Sequence, residues 1–317
     1  MATPRRRLVA FAAVVVAGAC WGFSAVIATK AFDRGVPPIR MAEARVLVAL
    51  VVLTAILAWR APSLLRPPRA AVPAFVGFGL SIAAVNASYY VAIDRLPVGV
   101  AISIQYTAPT ILLALSAAVA AAGVRSAVLP APPPGPVLWV ASAVTLLGAA
   151  LVSEAFAGLG GLSASGLAAA VVAAITFGTY LVTARWAAER GAHPATTLLW
   201  GFIVATLAWT VVAPWWGWPV SLLSDPAVLG AVIAVGLLAT LLPFFLAVWA
   251  MRILPPTTAG VAATVEPPFA TFFAWLLLGQ SLSGWQVLGA GLVIVGVALA
   301  QRASSLGGST LAVETAA

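Results

Sequence analysis

Apolar runs about 20 residues long alternate along this chain with short breaks rich in Pro, Gly and Arg. Ten runs cover approximately residues 8–29, 41–59, 71–93, 98–121, 137–156, 165–187, 195–214, 227–251, 257–278 and 284–301. A helix of about 20 residues spans a hydrocarbon layer of roughly 30 Å. Runs of this length predict membrane helices rather than barrel strands. The breaks hold turn-formers: Gly35-Val36-Pro37-Pro38, Pro62, Pro67-Pro68 and Gly158-Leu159-Gly160-Gly161. The longest break, residues 122–136, contains Pro130-Ala131-Pro132-Pro133-Pro134 and reads as a stiff linker. The tail, residues 302–317, is small and polar and is expected to be disordered.

The pattern repeats. Trp21-Gly22 matches Phe177-Gly178 at an offset of 156, and the same offset carries Gly35 to Gly191 and Pro38 to Pro194. Ala92, Leu96 and Pro97 match Ala250, Leu254 and Pro255 at an offset of 158, and Pro109 then falls on Pro267. Beyond the linker the offset drops to 148, and Gly148 matches Gly296. The halves are residues 1–156 and 165–301, with five spans each. An odd span number inverts the second half relative to the first. The expected fold is therefore all-α and polytopic, ten transmembrane helices in two inverted five-helix repeats, a layout common in secondary transporters.

Composition sharpens this. The 317 residues are 63% hydrophobic and 8% charged, with mean hydropathy +1.10. Soluble domains carry about 25% charged residues. The net charge of +8 comes from singly scattered Arg residues, which argues for loops beside an anionic leaflet and against nucleic acid as a partner. With the N-terminus cytoplasmic, eleven basic residues fall inside and four outside. That bias puts both termini in the cytoplasm of a cell-membrane (inner-membrane) protein. One cysteine, Cys20, excludes an internal disulfide, and the run through it is too long for a cleaved signal. One histidine, His193, gives no metal cluster, and the single Lys30 gives no GxxxxGK phosphate loop. No cofactor is expected.

Charges inside the spans are few, and each is costly there, so each is a candidate for function. Glu266 lies deepest, followed by Pro267-Pro268, whose missing N–H groups free carbonyls of the preceding turn. It reads as a static, hydrogen-bonded acid joining helices, as a ligand for a substrate amine, or as a proton-coupling carboxylate. Arg45 either snorkels to the outer surface or faces a cavity, where it would bind an anionic group or pair with Glu266. Arg40 and Glu43, three apart on one face, read as an interfacial pair. Span four offers Gln105 and Tyr106 before a second helix break at Pro109, and there Ala108 occupies the position of Glu266. Span three offers Asn86 and Tyr90 on one face, and span six offers Tyr180. Such groups serve as helix–helix contacts or as cavity lining. Trp21 and Trp249 lie deep enough to line a cavity. Span ten has almost no polar side chain and reads as a packing helix or a homodimer face.

Three of these features also carry a family resemblance: Trp21-Gly22, then Arg45-Val46-Leu47-Val48-Ala49, then Glu266-Pro267-Pro268-Phe269-Ala270 through Leu278-Gly279. In this ordered set the chain resembles the drug/metabolite transporter superfamily, in its EamA-type branch, over nearly its whole length. It departs at Gln280, where that family usually has Glu. Around Ala92-Ile93-Asp94-Arg95-Leu96-Pro97-Val98-Gly99-Val100-Ala101 it is also similar to threonine/homoserine-type exporters. The resemblance implies export or uptake of a small metabolite through a central cavity with alternating access, and a small amphipathic metabolite, an amino acid or related compound moved outward, is the expected substrate. That cavity is expected between spans one to four and six to nine, with five and ten outside. Proton antiport through Glu266 is the expected coupling, and an uncoupled facilitator is the alternative. An intramembrane enzyme would need paired acids, a Ser–His set or metal ligands. The sequence offers no such catalytic set: His193 falls in a predicted loop, and no second deep acid accompanies Glu266.

Overall fold

The computed structural model describes residues 3–96, 98–123, 135–158 and 162–314. The core of the expected Pro-rich linker, residues 124–134, lies outside them, as do Pro97 and the side chain of Tyr90. The chain is an all-α polytopic membrane protein. Among the described residues nine helices are long and apolar enough to cross a membrane, and a tenth apolar helix is shorter.

The first half comprises α1 (Pro4–Phe32), α2 (Pro38–Arg60), α3 (Val72–Arg95), the broken span α4 (Val98–Gln105) and α5 (Ala108–Ala121), and α6 (Pro136–Val152). The second comprises α7 (Ala164–Glu189), α8 (Pro194–Val212), α9 (Pro226–Gly236) leading through a π-turn into α10 (Leu242–Ala250), the broken span α11 (Pro256–Ala263) and α12 (Glu266–Leu278), and α13 (Gly284–Glu314). Proline opens several of these helices, including α2, α6, α8, α9 and α11. Its fixed φ suits the first turn, and its missing N–H is not needed there.

Two differences from the sequence pattern have physical causes. The fifth span stops at Val152, giving 17 residues, because Ser153 and Glu154 form a turn in which Glu154 has φ 48°. The Glu154 carboxylate accepts from Ser283 Oγ at 2.6 Å and ties this turn to the start of α13. The tail expected to be disordered continues as helix to Glu314, since α13 contains no proline to stop it.

Most of the main helix contacts recur when the halves are exchanged. α3 lies on α7, and α1 lies on α9 and α10. α4 and α5 meet α7, while α11 and α12 meet α1. α3 meets α8, and α9 meets α2. The pairs α2 with α8 and α6 with α13 map onto themselves, and the two broken spans meet through α5 and α11. α6 and α13 touch backbone to backbone: a Cβ on Gly148 would lie 2.7 Å from Gly289 O. One face of α13 is thereby a packing face. Its Val287, Leu288 and Ile294 are exposed.

Arg40 and Glu43 form their ion pair at 3.0 Å, but inside the protein, with Glu43 only 5% exposed. Arg40 also donates to the carbonyls of Ala213 and Pro214 at 3.0 and 2.7 Å. Trp218 Nε1 donates to Arg40 O at 3.1 Å. The pair therefore clamps the start of α2 to the segment after α8, and Glu43 is buried inside the protein.

Candidate functional site

The two broken spans create the site. Pro109 has no N–H for the carbonyl four residues earlier, nor have Pro267 and Pro268 for theirs, so both helices restart there. Residues 106–107 and 264–265 are the turns between segments. Each break turns side chains towards the molecular centre, where a cavity of about 140 Å³ opens. A cavity of about 150 Å³ suffices for benzene, so this one suits a ligand of similar size.

Trp21 and Ser24 of α1, Arg45 of α2, Asn86 and Tyr89 of α3, Gln105 and Tyr106 at the first break, Tyr180 of α7 and Glu266 at the second break all line it. Phe177, Phe244, Ile82, Val85 and Ile102 complete the wall. Seven of the residues expected from the sequence thus meet in one cavity: Trp21, Arg45, Asn86, Gln105, Tyr106, Tyr180 and Glu266. Trp249 does not line it, but is half-buried against the main core cluster, where its ring serves packing. The expectation for Tyr90 lies outside the described side chains, and its neighbour Tyr89 is in the wall. The spans contribute as expected except that α8 provides no lining residue. By the repeat its Gly201 stands where α2 has Arg45, and the Phe78 ring fills that place.

The charged groups are held from opposite directions. Tyr106 donates its hydroxyl to Glu266 Oε2 at 2.6 Å, joining the two breaks across the centre. Glu266 also opens α12, so its carboxylate sits at the positive end of that helix. Arg45 Nε donates to Thr240 Oγ1 at 2.7 Å, and a terminal nitrogen donates to Ala239 O at 2.8 Å. That carbonyl would ordinarily accept from residue 243, but Pro243 has no N–H. The π-turn Leu237–Leu241 and the proline together expose an acceptor for the guanidinium. Thr240 is oriented by donating its own hydroxyl to Val235 O at 3.0 Å.

Gly22 explains why α1 carries Trp-Gly. A Cβ there would fall 2.6 Å from Ala270 N and 2.9 Å from Glu266 O, so only glycine lets the second break press on α1. Trp21 beside it meets Phe244 edge to face at 5.5 Å. At the related position Phe177 stacks on Tyr180 and meets Tyr106 edge to face, both at 5.9 Å.

Ser24, Phe177 and Phe244 escaped the sequence reading of the site because a small hydroxyl or an aromatic in an apolar run signals nothing alone. The repeat could have found them. Phe177 pairs with Trp21, Ser24 with Tyr180, and Phe244 with Asn86 at the offsets already given.

Comparison with known proteins follows this geometry. The EamA-like transporter family matches residues 8–154 and 164–301. The threonine/homoserine exporter RhtA of Salmonella typhimurium (strain LT2) is 29% identical over 217 residues, or 67% of this chain and 65% of that protein. RhtA of Escherichia coli (strain K12) is 28% identical over 224 residues, covering 68% and 67%. The match thus spans about two-thirds of the relatives' length. The uncharacterized transporter YdfC of Bacillus subtilis (strain 168) is 30% identical over 160 residues, half of each chain. A solved crystal structure, 20% identical, superposes with a TM-score of 0.74 over 92% of this chain and 96% of that one, so the fold is shared.

Proposed function

The chain belongs to the EamA-like transporter family, and from that premise we propose that it exports a small amino acid across the cell membrane by alternating access. The observation that carries this reading is one small cavity lined by an arginine from the first half and a glutamate from the second. A zwitterion needs both signs. Arg45 takes the carboxylate, and Glu266, held in place by the Tyr106 hydroxyl on Oε2, takes the ammonium. The names of the RhtA relatives point to the same substrate class. The aromatic walls of Trp21, Phe177 and Phe244 exclude water and hold the uncharged part.

Glu266 also supplies the coupling. Ionised, it binds the ammonium; protonated, it releases it and carries the proton back. A proton moving inward down 100 mV releases about 2.3 kcal/mol, enough to drive roughly a 50-fold gradient of a neutral zwitterion. The two breaks are the hinges, and both termini lie on the cytoplasmic side, in keeping with the arginine distribution.

The test is flux of labelled L-threonine or L-homoserine in proteoliposomes with an imposed pH gradient. The gradient should drive accumulation, Arg45→Ala should abolish it, and Glu266→Gln should make any residual flux indifferent to pH. Wild-type flux that ignores the gradient assigns an uncoupled facilitator. Normal transport by both variants removes the site from this cavity.

A further inference from the structure

Two polar atoms in the cavity wall are buried and unpartnered: the Tyr180 hydroxyl and Gln105 Oε1. The polar groups around them are engaged. Ser24, the repeat mate of Tyr180, donates to Trp21 O at 2.8 Å. Asn86 Nδ2 donates to Ile82 O at 2.7 Å, and Tyr106 donates to Glu266. Leaving a buried donor or acceptor unmade costs free energy, and native proteins rarely do so without a reason. Tyr180 is 2% exposed and cannot swing to another partner. Its ring is stacked on Phe177 and flanked by Phe78 at 5.4 Å and by Phe244 at 5.5 Å. α4 packs on α7, and Gln105 and Tyr180 line the same cavity.

From this pair we infer that the cavity selects substrates by a side-chain hydroxyl, with Gln105 Oε1 accepting its proton and the Tyr180 hydroxyl donating to its oxygen. The inference rests on the reading of Arg45 and Glu266 as holders of the two charged ends. Those ends engaged, the rest of the ligand meets apolar walls, polar groups such as Ser24 Oγ and Asn86 Nδ2 that already donate to backbone carbonyls, and these two buried, unpartnered atoms. An O–H group is the smallest that both donates and accepts. A methyl group in its place satisfies neither atom and leaves both buried and unpaired. A site that hydrogen-bonds a substrate hydroxyl discriminates far more strongly against the analogue without it than an apolar pocket discriminates against an added one. Threonine and valine differ by this one exchange, so the cavity prefers threonine.

The experiment is competitive counterflow in proteoliposomes with L-threonine and L-valine, for the wild type, Tyr180→Phe, Gln105→Leu and Arg45→Ala. The wild type should favour threonine by well over about 100-fold, towards the roughly 10⁴-fold scale of a site built around a substrate hydroxyl. Tyr180→Phe and Gln105→Leu should each cut that preference to below about 10-fold, chiefly by losing threonine binding. Arg45→Ala should remove both substrates. If the wild type takes valine as well as threonine, or Tyr180→Phe keeps the preference, the hydroxyl inference is wrong while the amino-acid reading stands. If the wild type moves neither amino acid, the underlying reading fails and takes this one with it. Thermal melting guards against a structural explanation. Removing an unpartnered hydroxyl should leave the melting temperature unchanged or raised, and a marked fall would show that the hydroxyl serves the fold and overturn the inference.

Discussion

Tyr106-Thr107-Ala108-Pro109 and Thr264-Val265-Glu266-Pro267 are the same stretch twice, one in each half. Both leave the helix for a short turn and restart before a proline. In the first half Ala108 is buried in the core, and in the second Glu266 lines the cavity. Tyr106 reaches Glu266, whereas its mate Thr264 bonds its own helix at Gly260 O, 3.3 Å away. The same holds around the wall, with Arg45 against Gly201, Asn86 against Phe244, and Ser24 against Tyr180. Backbone architecture follows the repeat, and side-chain chemistry breaks it. On the proposed function, a symmetric frame would let the two halves exchange roles in alternating access, and a zwitterion would need unlike groups at its two ends. The two demands are compatible because they fall on different atoms.

The largest effect should come from moving the charge. Glu266→Ala is expected to reduce transport at least about 100-fold, the scale of a buried charged contact. Adding Ala108→Glu to it should not restore transport, because the tyrosine that would hold the acid has Thr264 in its mirrored place. Recovery in the double variant would show that the asymmetry is dispensable.

Next come the two glycines. Gly22→Ala puts a methyl against backbone that cannot yield, and melting in detergent should fall by about 1–3 kcal/mol equivalent. Gly178 has Leu112 Cδ2 at 3.6 Å, an ordinary contact, so Gly178→Ala should be neutral or stabilising by up to about 1 kcal/mol from helix propensity. Equal responses would mean that the second break is no tighter than the first.

Tyr106→Phe removes the bond across the centre. A hydrogen bond to a charged group contributes about 1.5–3 kcal/mol, so initial-rate flux should fall roughly 10- to 100-fold. Unchanged flux would make the contact incidental.

The smallest effect lies at the loop before each second helix. Pro37, at the N-cap of α2, offers no side-chain cap, while His193 Nδ1 accepts from Ala195 N–H at 3.2 Å and caps α8. Burial, aided by nearby Arg252, holds the His193 pKa below its usual value. The folded protein therefore favours neutral His193, and the unfolded chain takes up a proton first as pH falls. This contribution is full above the unfolded pKa of about 6.5 and is lost as pH drops from there through the folded value. His193→Ala should lower stability by about 0.5–1 kcal/mol at pH 8 and flatten the melting temperature between pH 7 and 5. A wild-type melting temperature that does not fall over that range contradicts it.

Much of this was legible in order along the chain. A proline such as Pro109 or Pro267 inside an apolar run marks a break wherever the run folds, because the missing N–H is local. A lone Arg45 or Glu266 in such a run marks the interior, because lipid would charge several kcal/mol for it. Trp249 misled because a deep indole suits a core as well as a cavity. The spacing of Arg40 and Glu43 gave their pairing but not their burial, because the carbonyls of Ala213 and Pro214 that shelter Arg40 are about 170 residues away.

By itself, the sequence determined the number of spans, their breaks, the repeat and the charges that had to be hidden, since each depends on residue type and local spacing. Tertiary structure alone decided which hidden groups meet: that Tyr106 holds Glu266, that Pro243 frees Ala239 for Arg45, and that Tyr180 and Gln105 stay unpartnered. Those outcomes depend on distances between helices 60 to 200 residues apart in the chain. They are set by close packing at positions such as Gly22, and no window along the sequence contains both partners.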